Sequence, residues 1–119
     1  MAVTWPGGIR SAGVACGIKP GGALDLGMIV LDAPGPWAAT FTRSAAAAAP
    51  VLWSRALLGG DLQAIVVNSG NANACTGAAG AQTVEHTACA AAARLACAPS
   101  EVAVASTGPI GVPLPLPKV

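Results

Sequence analysis

Two short segments rich in amides, hydroxyls and glycine contain the side chains best suited to chemistry in this chain. Asn68–Gly77 (NSGNANACTG) combines three asparagines with a serine, a threonine and two glycines that permit positive φ. Ser106–Gly111 (STGPIG) places the hydroxyl of Thr107 beside the N–H of Gly108. Such a pair of donors suits an oxyanion hole, which stabilises negative charge on a carbonyl oxygen. The opposing interpretation is that both segments are ordinary turns, and residue chemistry alone favours turns.

Both segments are expected at the ends of strands, where layered α/β folds gather their sites. Leu62–Val67 is predicted as a buried strand from its aliphatic run, and Glu101–Ala105 as a second strand that leads into Thr107. Between the strands we predict a helix over Ala78–Ala98, which Pro99 ends. Its apolar face repeats at three- and four-residue spacing through Val84, Ala88, Ala91, Ala92 and Leu95.

In the first half of the chain, the sequence predicts shorter and less regular strands, turns and helices. Strands are expected at Arg10–Ile18, Leu24–Leu31 and Trp37–Thr42, with turns at Pro20–Gly22 and Asp32–Pro36. Because Pro50 disfavours helical geometry in the residue before it, Ala48–Trp53 is predicted to be extended and Ser54–Leu58 to form a short helix. Strands interrupted by one long helix predict an α/β layered domain, a single partial domain over residues 1–119.

The composition favours burial and excludes several classes of protein. Of the 119 residues, 54% are hydrophobic and 9% charged, with a net charge of +1, which fits neither a disordered tail nor a nucleic-acid surface. Ala45–Ala49 is far shorter than the roughly 20 apolar residues that span a bilayer, so no membrane segment is predicted. The four cysteines are predicted to be reduced thiols of a cytoplasmic protein. Because the chain is so apolar, we expect part of its apolar surface to be covered by a partner.

In this order, the two segments and their flanking residues resemble the amino-terminal portion of the ornithine acetyltransferase family, also called glutamate N-acetyltransferases. The asparagine-rich stretch Val67–Gly77 discriminates best. The other supporting segments cover nearly the whole chain in family order: Gly13–Lys19 (GVACGIK), Asp25–Leu26, Phe41–Arg43, Ala48–Val51, Ser54–Arg55, Ser106–Gly108, Ile110–Gly111 and Pro113–Leu114.

The resemblance implies a layered sheet-and-helix sandwich of the ornithine acetyltransferase and N-terminal-nucleophile aminopeptidase type, incomplete in this chain. Family members cut themselves before a threonine, which then takes the acetyl group of N-acetylornithine as an acyl-enzyme and passes it to glutamate. Thr107 and Gly108 match the family's oxyanion-hole pair. The implied partner is a complementary beta chain, in a hetero-oligomer of alpha and beta chains. No cofactor is implied, and acceptance of acetyl-CoA stays open.

The chain departs from the family pattern because it stops at Val119, soon after Ser106–Gly111. None of its threonines lies in a family-like cleavage context, so the chain alone is predicted to be inactive. The leading hypothesis is an arginine-biosynthesis acetyltransferase whose threonine nucleophile lies outside this sequence. The alternative is a non-catalytic fragment or assembly module that retains the fold. An aminopeptidase of the broader fold is a third candidate, which Asn68–Gly77 disfavours.

The remaining polar residues are predicted to be structural. His86 is expected on the solvated side of the long helix, and its spacing to Cys89 and Cys97 matches no usual zinc-ligand set. Cys75 is the thiol nearest the predicted chemistry, and packing is its expected role. Asp25 has no acidic partner in the sequence around it.

Overall fold

The computed structural model describes residues 6–119 and contains one four-stranded sheet with two α-helices. The strands lie in chain order across the sheet, antiparallel from the first to the third, and the fourth is parallel to the third. The elements are β1 (Ile9–Val14), β2 (Leu26–Pro36), α1 (Ala49–Ala56), β3 (Asp61–Ser69), α2 (Gly77–Leu95) and β4 (Val102–Thr107). The predicted α/β class is confirmed, and α2 provides the crossover that parallel neighbours require.

The core lies between α2 and one face of the sheet. Alternate residues of β3 from Leu62 to Asn68 are buried, as expected of a strand with one covered face. Ala64 and Val66 pack with residues of β4 against α2. The predicted apolar face of this helix is confirmed, since each of four of its members is at most 5% exposed: Val84, Ala88, Ala91 and Ala92. No helix within residues 6–119 has the length and apolar character needed to cross a membrane.

The opposite face of the sheet is more open. Strand alternation directs Ile29, Ile65 and Val67 to this side, and all three are only half-buried. A cavity of about 240 Å³ is lined by Ile65, Ala105 and Trp37. The indole N–H of Trp37 is buried without an acceptor among the residues that the structure describes. This face therefore leaves apolar surface incompletely covered.

Helix α1 occupies the outer edge of β4. The Ser54 hydroxyl donates to the Val104 carbonyl at 2.8 Å and accepts from the Val104 N–H at 3.0 Å. The Trp53 indole N–H donates to the Val102 carbonyl at 2.9 Å. These bonds occupy N–H and carbonyl groups on the outer edge of β4 that could otherwise pair with another strand.

Two predictions beyond Leu31 are wrong. Asp32–Pro36 is not a turn but the end of β2, which continues across a register irregularity between Val30 and Gly35. Trp37–Thr42 forms no strand. Strand β2, which precedes this segment, is already flanked by β1 and β3, so the segment cannot turn back to pair with β2.

The prediction that Ala48–Trp53 is extended is also wrong. Helix α1 begins at Ala49 and includes Pro50 in its first turn. A proline there removes no helical hydrogen bond, and its fixed φ suits the helix. The predicted short helix was placed too late in the chain, because α1 ends at Ala56 rather than Leu58.

The other elements agree with their predictions in type and differ at their ends. Strand β1 stops at Val14 rather than Ile18. Helix α2 stops at Leu95, because Ala96 adopts a left-handed backbone with φ 55° and its N–H closes on the last turn. Strand β4 extends two residues beyond the predicted end, so Thr107 is its last residue.

Candidate active site

The structure brings the two segments together at the carboxyl ends of β3 and β4. Parallel pairing places Ser69 opposite Thr107, and Asn71 forms a further bridge to Thr107 beyond the regular ladder. We call Asn68–Gly77 the asparagine segment and Ser106–Gly111 the STG segment. Their contact at this edge of the sheet makes them parts of one site.

The STG segment is attached to the asparagine segment at several points along its backbone. Besides the strand pairing, three main-chain bonds join them: Asn71 N–H to the Thr107 carbonyl at 3.1 Å, Ala72 N–H to the Pro109 carbonyl at 3.0 Å, and Gly111 N–H to the Ala74 carbonyl at 2.8 Å. A fourth bond runs from the Asn71 side-chain amide to the Val112 carbonyl at 2.9 Å. The conformation of the STG segment is therefore fixed by the asparagine segment.

The bond to the Thr107 carbonyl sets the direction of the next N–H. In a trans peptide the carbonyl and the following N–H point in opposite directions, and the described backbone has no cis peptide. Because the Thr107 carbonyl points to Asn71, the Gly108 N–H points away from the asparagine segment. This N–H has no acceptor among residues 6–119, and both Thr107 and Gly108 are exposed. A free donor beside a hydroxyl is thus presented to solvent.

Glycine is required at position 108 for two reasons. Its φ of +143° is one that residues with side chains rarely adopt. A Cβ there would also lie 2.6 Å from the carbonyl carbon of Gly70. Gly70 is in turn packed closely, because a Cβ on it would lie 2.8 Å from Cγ of Lys19. The STG segment, the asparagine segment and the residues around Lys19 therefore pack closely against one another, with Gly108 and Gly70 at the two points of contact.

Three buried asparagines organise the asparagine segment. Asn68, Asn71 and Asn73 are each at most 3% exposed. The Asn68 amide donates to the Asn71 carbonyl at 2.8 Å, and its oxygen accepts from the Ser106 hydroxyl at 2.5 Å. The Asn73 amide donates to the Gly80 carbonyl at 2.9 Å, in the first turn of α2. Because these amides are buried and engaged, they shape the site rather than offer groups to a substrate.

Asp25 belongs to the same edge, although the sequence shows no acidic partner for it and the family resemblance assigns it no role. It is 3% exposed, and its carboxylate accepts the N–H groups of Cys16 at 2.7 Å and Lys19 at 2.8 Å. Its own carbonyl accepts the Ser69 N–H at 2.8 Å. The hydrogen bonds from Lys19 and Cys16 lower the pKa of Asp25 from its ordinary 3.8 to about 2. Asp25 therefore ties the Cys16–Lys19 loop to the end of β3 as an ionised group.

We expect Asp25 to make folding stability sensitive to acid. Its folded-state pKa of about 2 lies below the ordinary 3.8, so its contribution is present above 3.8 and lost as the pH falls through about 2. Asp25→Asn should lower the free energy of unfolding near neutral pH and flatten its loss in this acid range, as measured by urea unfolding at a series of pH values. Asp61→Asn, at an exposed position, should retain the acid-dependent loss. Equal acid dependence in all three proteins would contradict the assignment.

The other polar candidates make no hydrogen bond to Thr107 or Gly108 among the described residues. His86 and Cys89 are exposed on α2, as the helical spacing predicts for His86. Cys75 is exposed, at the end of the asparagine segment. Burial raises the pKa of the Cys97 thiol, which makes it less reactive. Among residues 6–119, no three His, Cys, Asp or Glu side chains are grouped so that they could hold a metal ion.

A cavity of about 400 Å³ lies between α1 and the start of α2 and includes Trp53, Cys75 and Val84 in its lining. Thr107 and Gly108 do not line it. The lining is largely apolar. The exposed Thr107–Gly108 peptide, which sets a free N–H beside a hydroxyl, is therefore the better candidate for chemistry.

The chain is similar to known proteins along almost its whole length. The model of the ArgJ family matches residues 10–119. The arginine biosynthesis bifunctional protein ArgJ of Thermobifida fusca is 50% identical over 121 residues, and that of Mycobacterium tuberculosis is 50% identical over 126 residues. Both matches cover all of this chain. The chain spans only 32% and 31%, respectively, of the length of these curated relatives.

Two solved structures share the fold. The crystal structure of arginine biosynthesis bifunctional protein ArgJ from Bacillus halodurans has a TM-score of 0.93 and 37% identity, covering 99% of this chain and 62% of that one. The structure of ornithine acetyltransferase from Mycobacterium tuberculosis, complexed with ornithine, has a TM-score of 0.92 and 50% identity, covering 98% and 64%. Because the family model matches residues 10–119, the chain belongs to the ArgJ family, as its resemblance to ornithine acetyltransferases predicted.

Proposed function

We propose that this chain supplies the oxyanion hole of an arginine-biosynthesis acetyltransferase, which moves an acetyl group from N-acetylornithine to glutamate. The observation that carries the proposal is the outward Gly108 N–H beside the exposed Thr107 hydroxyl, in a member of the ArgJ family. The threonine nucleophile belongs to sequence outside residues 1–119. A complementary beta chain would provide it in a hetero-oligomer, and the half-covered face of the sheet offers apolar surface for such a partner.

The reaction places negative charge on the acetyl oxygen twice. The threonine hydroxyl attacks the acetyl carbon of N-acetylornithine, and the resulting tetrahedral intermediate expels ornithine to leave an acetyl ester. The amine of glutamate then attacks this ester, and a second tetrahedral intermediate collapses to N-acetylglutamate and the free threonine. In both intermediates the Gly108 N–H and the Thr107 hydroxyl donate to the oxyanion.

The fixed position of the Gly108 donor supports this role. A donor that is already aimed requires no reorganisation when charge develops, and removal of one such donor costs about 2.7–4 kcal/mol of transition-state stabilisation. The bond from Asn71 to the Thr107 carbonyl holds the Gly108 N–H in its direction without a substrate. The substrate class is supported by the relatives, since the Mycobacterium tuberculosis enzyme is an ornithine acetyltransferase solved with ornithine.

The test joins residues 1–119 to the rest of the Thermobifida fusca relative, in place of the matching part of that protein. We expect this fusion to transfer acetyl from N-acetylornithine to glutamate, and residues 1–119 alone to show no transfer. In the fusion, Thr107→Val should lower kcat by about a hundredfold, because it removes one oxyanion donor and preserves shape. Thr40→Val, which removes a hydroxyl at an exposed position outside the site, should leave kcat unchanged.

Each arm of this test has a result that contradicts the proposal. Activity of residues 1–119 alone would refute an external nucleophile. A fusion that folds but lacks activity, while the intact relative is active, would favour the non-catalytic module instead. Equal kcat for the unsubstituted fusion and its Thr107→Val variant would remove Thr107 from the oxyanion hole.

A further inference from the structure

We infer that Asn71 is the positioning residue that aims the Gly108 N–H, an inference that rests on the proposed function. All four polar groups of Asn71 are engaged, and the residue is 3% exposed. Its backbone N–H holds the Thr107 carbonyl at 3.1 Å, the bond that directs the following N–H outward. Asn71 therefore acts on the proposed donor through a single peptide unit.

The side chain of Asn71 stabilises the bond between its own backbone N–H and the Thr107 carbonyl through two further hydrogen bonds. Its amide N–H donates to the Val112 carbonyl at 2.9 Å, just beyond the STG segment. Its amide oxygen accepts the Asn73 N–H at 2.7 Å, which folds the asparagine segment back on itself. One residue thus holds the STG segment near its start, at Thr107 through its backbone, and just beyond its end, at Val112 through its side chain.

Asn73 provides a matched comparison within the same segment. It is 1% exposed, and its side chain is as fully engaged as that of Asn71. Its partners, however, are the Gly80 carbonyl and the Thr76 hydroxyl, which belong to the start of α2. Its amide therefore stabilises the helix side of the segment and makes no hydrogen bond to the STG segment.

Loss of the Asn71 amide should affect the transition state more than substrate binding. The Val112 carbonyl and the Asn73 N–H would both lose their partners, and the Thr107–Gly108 peptide would sample other orientations. A donor that is misaimed for part of the time stabilises the oxyanion less, whereas contacts to the rest of the substrate are unchanged. The expected signature is a lower kcat at nearly constant KM.

The first measurement follows amide hydrogen exchange by NMR in residues 1–119. In Asn71→Ala, the N–H groups of Ala72 and Gly111, which cross between the two segments, should exchange about tenfold faster. Asn71→Asp keeps the shape of the side chain but replaces the donor to Val112 with a carboxylate oxygen, so it should shift the same amides in the same direction. Thr87→Val, which removes the hydrogen bond from the hydroxyl of the buried Thr87 to the Thr83 carbonyl within α2, should leave both rates unchanged.

The second measurement uses the fusion described above. Asn71→Ala should lower kcat about tenfold with KM within about twofold, whereas Thr87→Val, a buried position of α2 outside both segments, should leave kcat unchanged. Unaltered exchange at Ala72 and Gly111 in both Asn71 variants would overturn the inference. Faster exchange with an unchanged kcat would overturn it as well. If the unsubstituted fusion is inactive, the proposed function fails, and the exchange rates alone decide whether Asn71 holds the STG segment.

Discussion

Replacing Gly108 with alanine should lower the kcat of the fusion for acetyl transfer by at least about a hundredfold, the effect expected when an oxyanion donor is lost. The backbone there has φ +143°, and the new Cβ would lie 2.6 Å from the carbonyl carbon of Gly70. The carbonyl carbon of Gly70 is a backbone atom and cannot swing aside as a flexible side chain would. The Thr107–Gly108 peptide must therefore move, and the Gly108 N–H must change direction. Initial rates at varied N-acetylornithine concentration measure the effect.

Gly111→Ala is the matched control for this substitution. Gly111 lies in the same segment and also has positive φ, +74°, but a Cβ there would meet nothing within 4 Å. Alanine at this position should cost some stability through backbone strain and leave kcat within about threefold of the unsubstituted value. Similar losses of kcat in both variants would show that general strain, and not the direction of the Gly108 N–H, limits the reaction.

Ala88→Leu should lower the free energy of unfolding by about 1–3 kcal/mol, because it forces extra methyl and methylene groups into a filled core. Ala88 is fully buried between α2 and the sheet. Ala90→Leu places the same side chain on the exposed side of the same helix and should change stability little. Urea unfolding followed by tryptophan fluorescence compares the two variants, since Trp53 packs against this core. Equal midpoints would contradict close packing of α2 on the sheet.

The elements predicted best from the sequence are those whose burial repeats locally. The aliphatic run of β3 and the alanine face of α2 both report which side of an element faces the core. Trp37–Thr42 has the composition of a strand, yet forms none, because pairing depends on a neighbour elsewhere in the chain. Pro50 disfavours helix in general but is acceptable in the first turn, so its effect depended on where α1 begins.

The candidate site was predictable from the sequence only in part. Residue chemistry alone favoured two turns, and the family resemblance directed attention to Thr107 and Gly108. The resemblance could not indicate how the donor is held, because Asn71 reaches its partners 36 and 41 residues further along the chain. Asp25 was missed for a related reason. Its partners are backbone N–H groups, which every residue but proline carries and no motif reveals.

The unequal edges of the sheet limit how copies of this chain can associate. At one edge, Ser54 and Trp53 occupy main-chain groups of Val102 and Val104 in β4. At the other edge, no strand lies outside β1 within residues 6–119. A sheet with two free edges can grow without limit by adding strands, whereas two copies that pair through a single free edge form a closed dimer. Self-association through strand pairing is therefore expected at β1 rather than at β4, where α1 covers part of the edge, and this favours closed dimers over fibres.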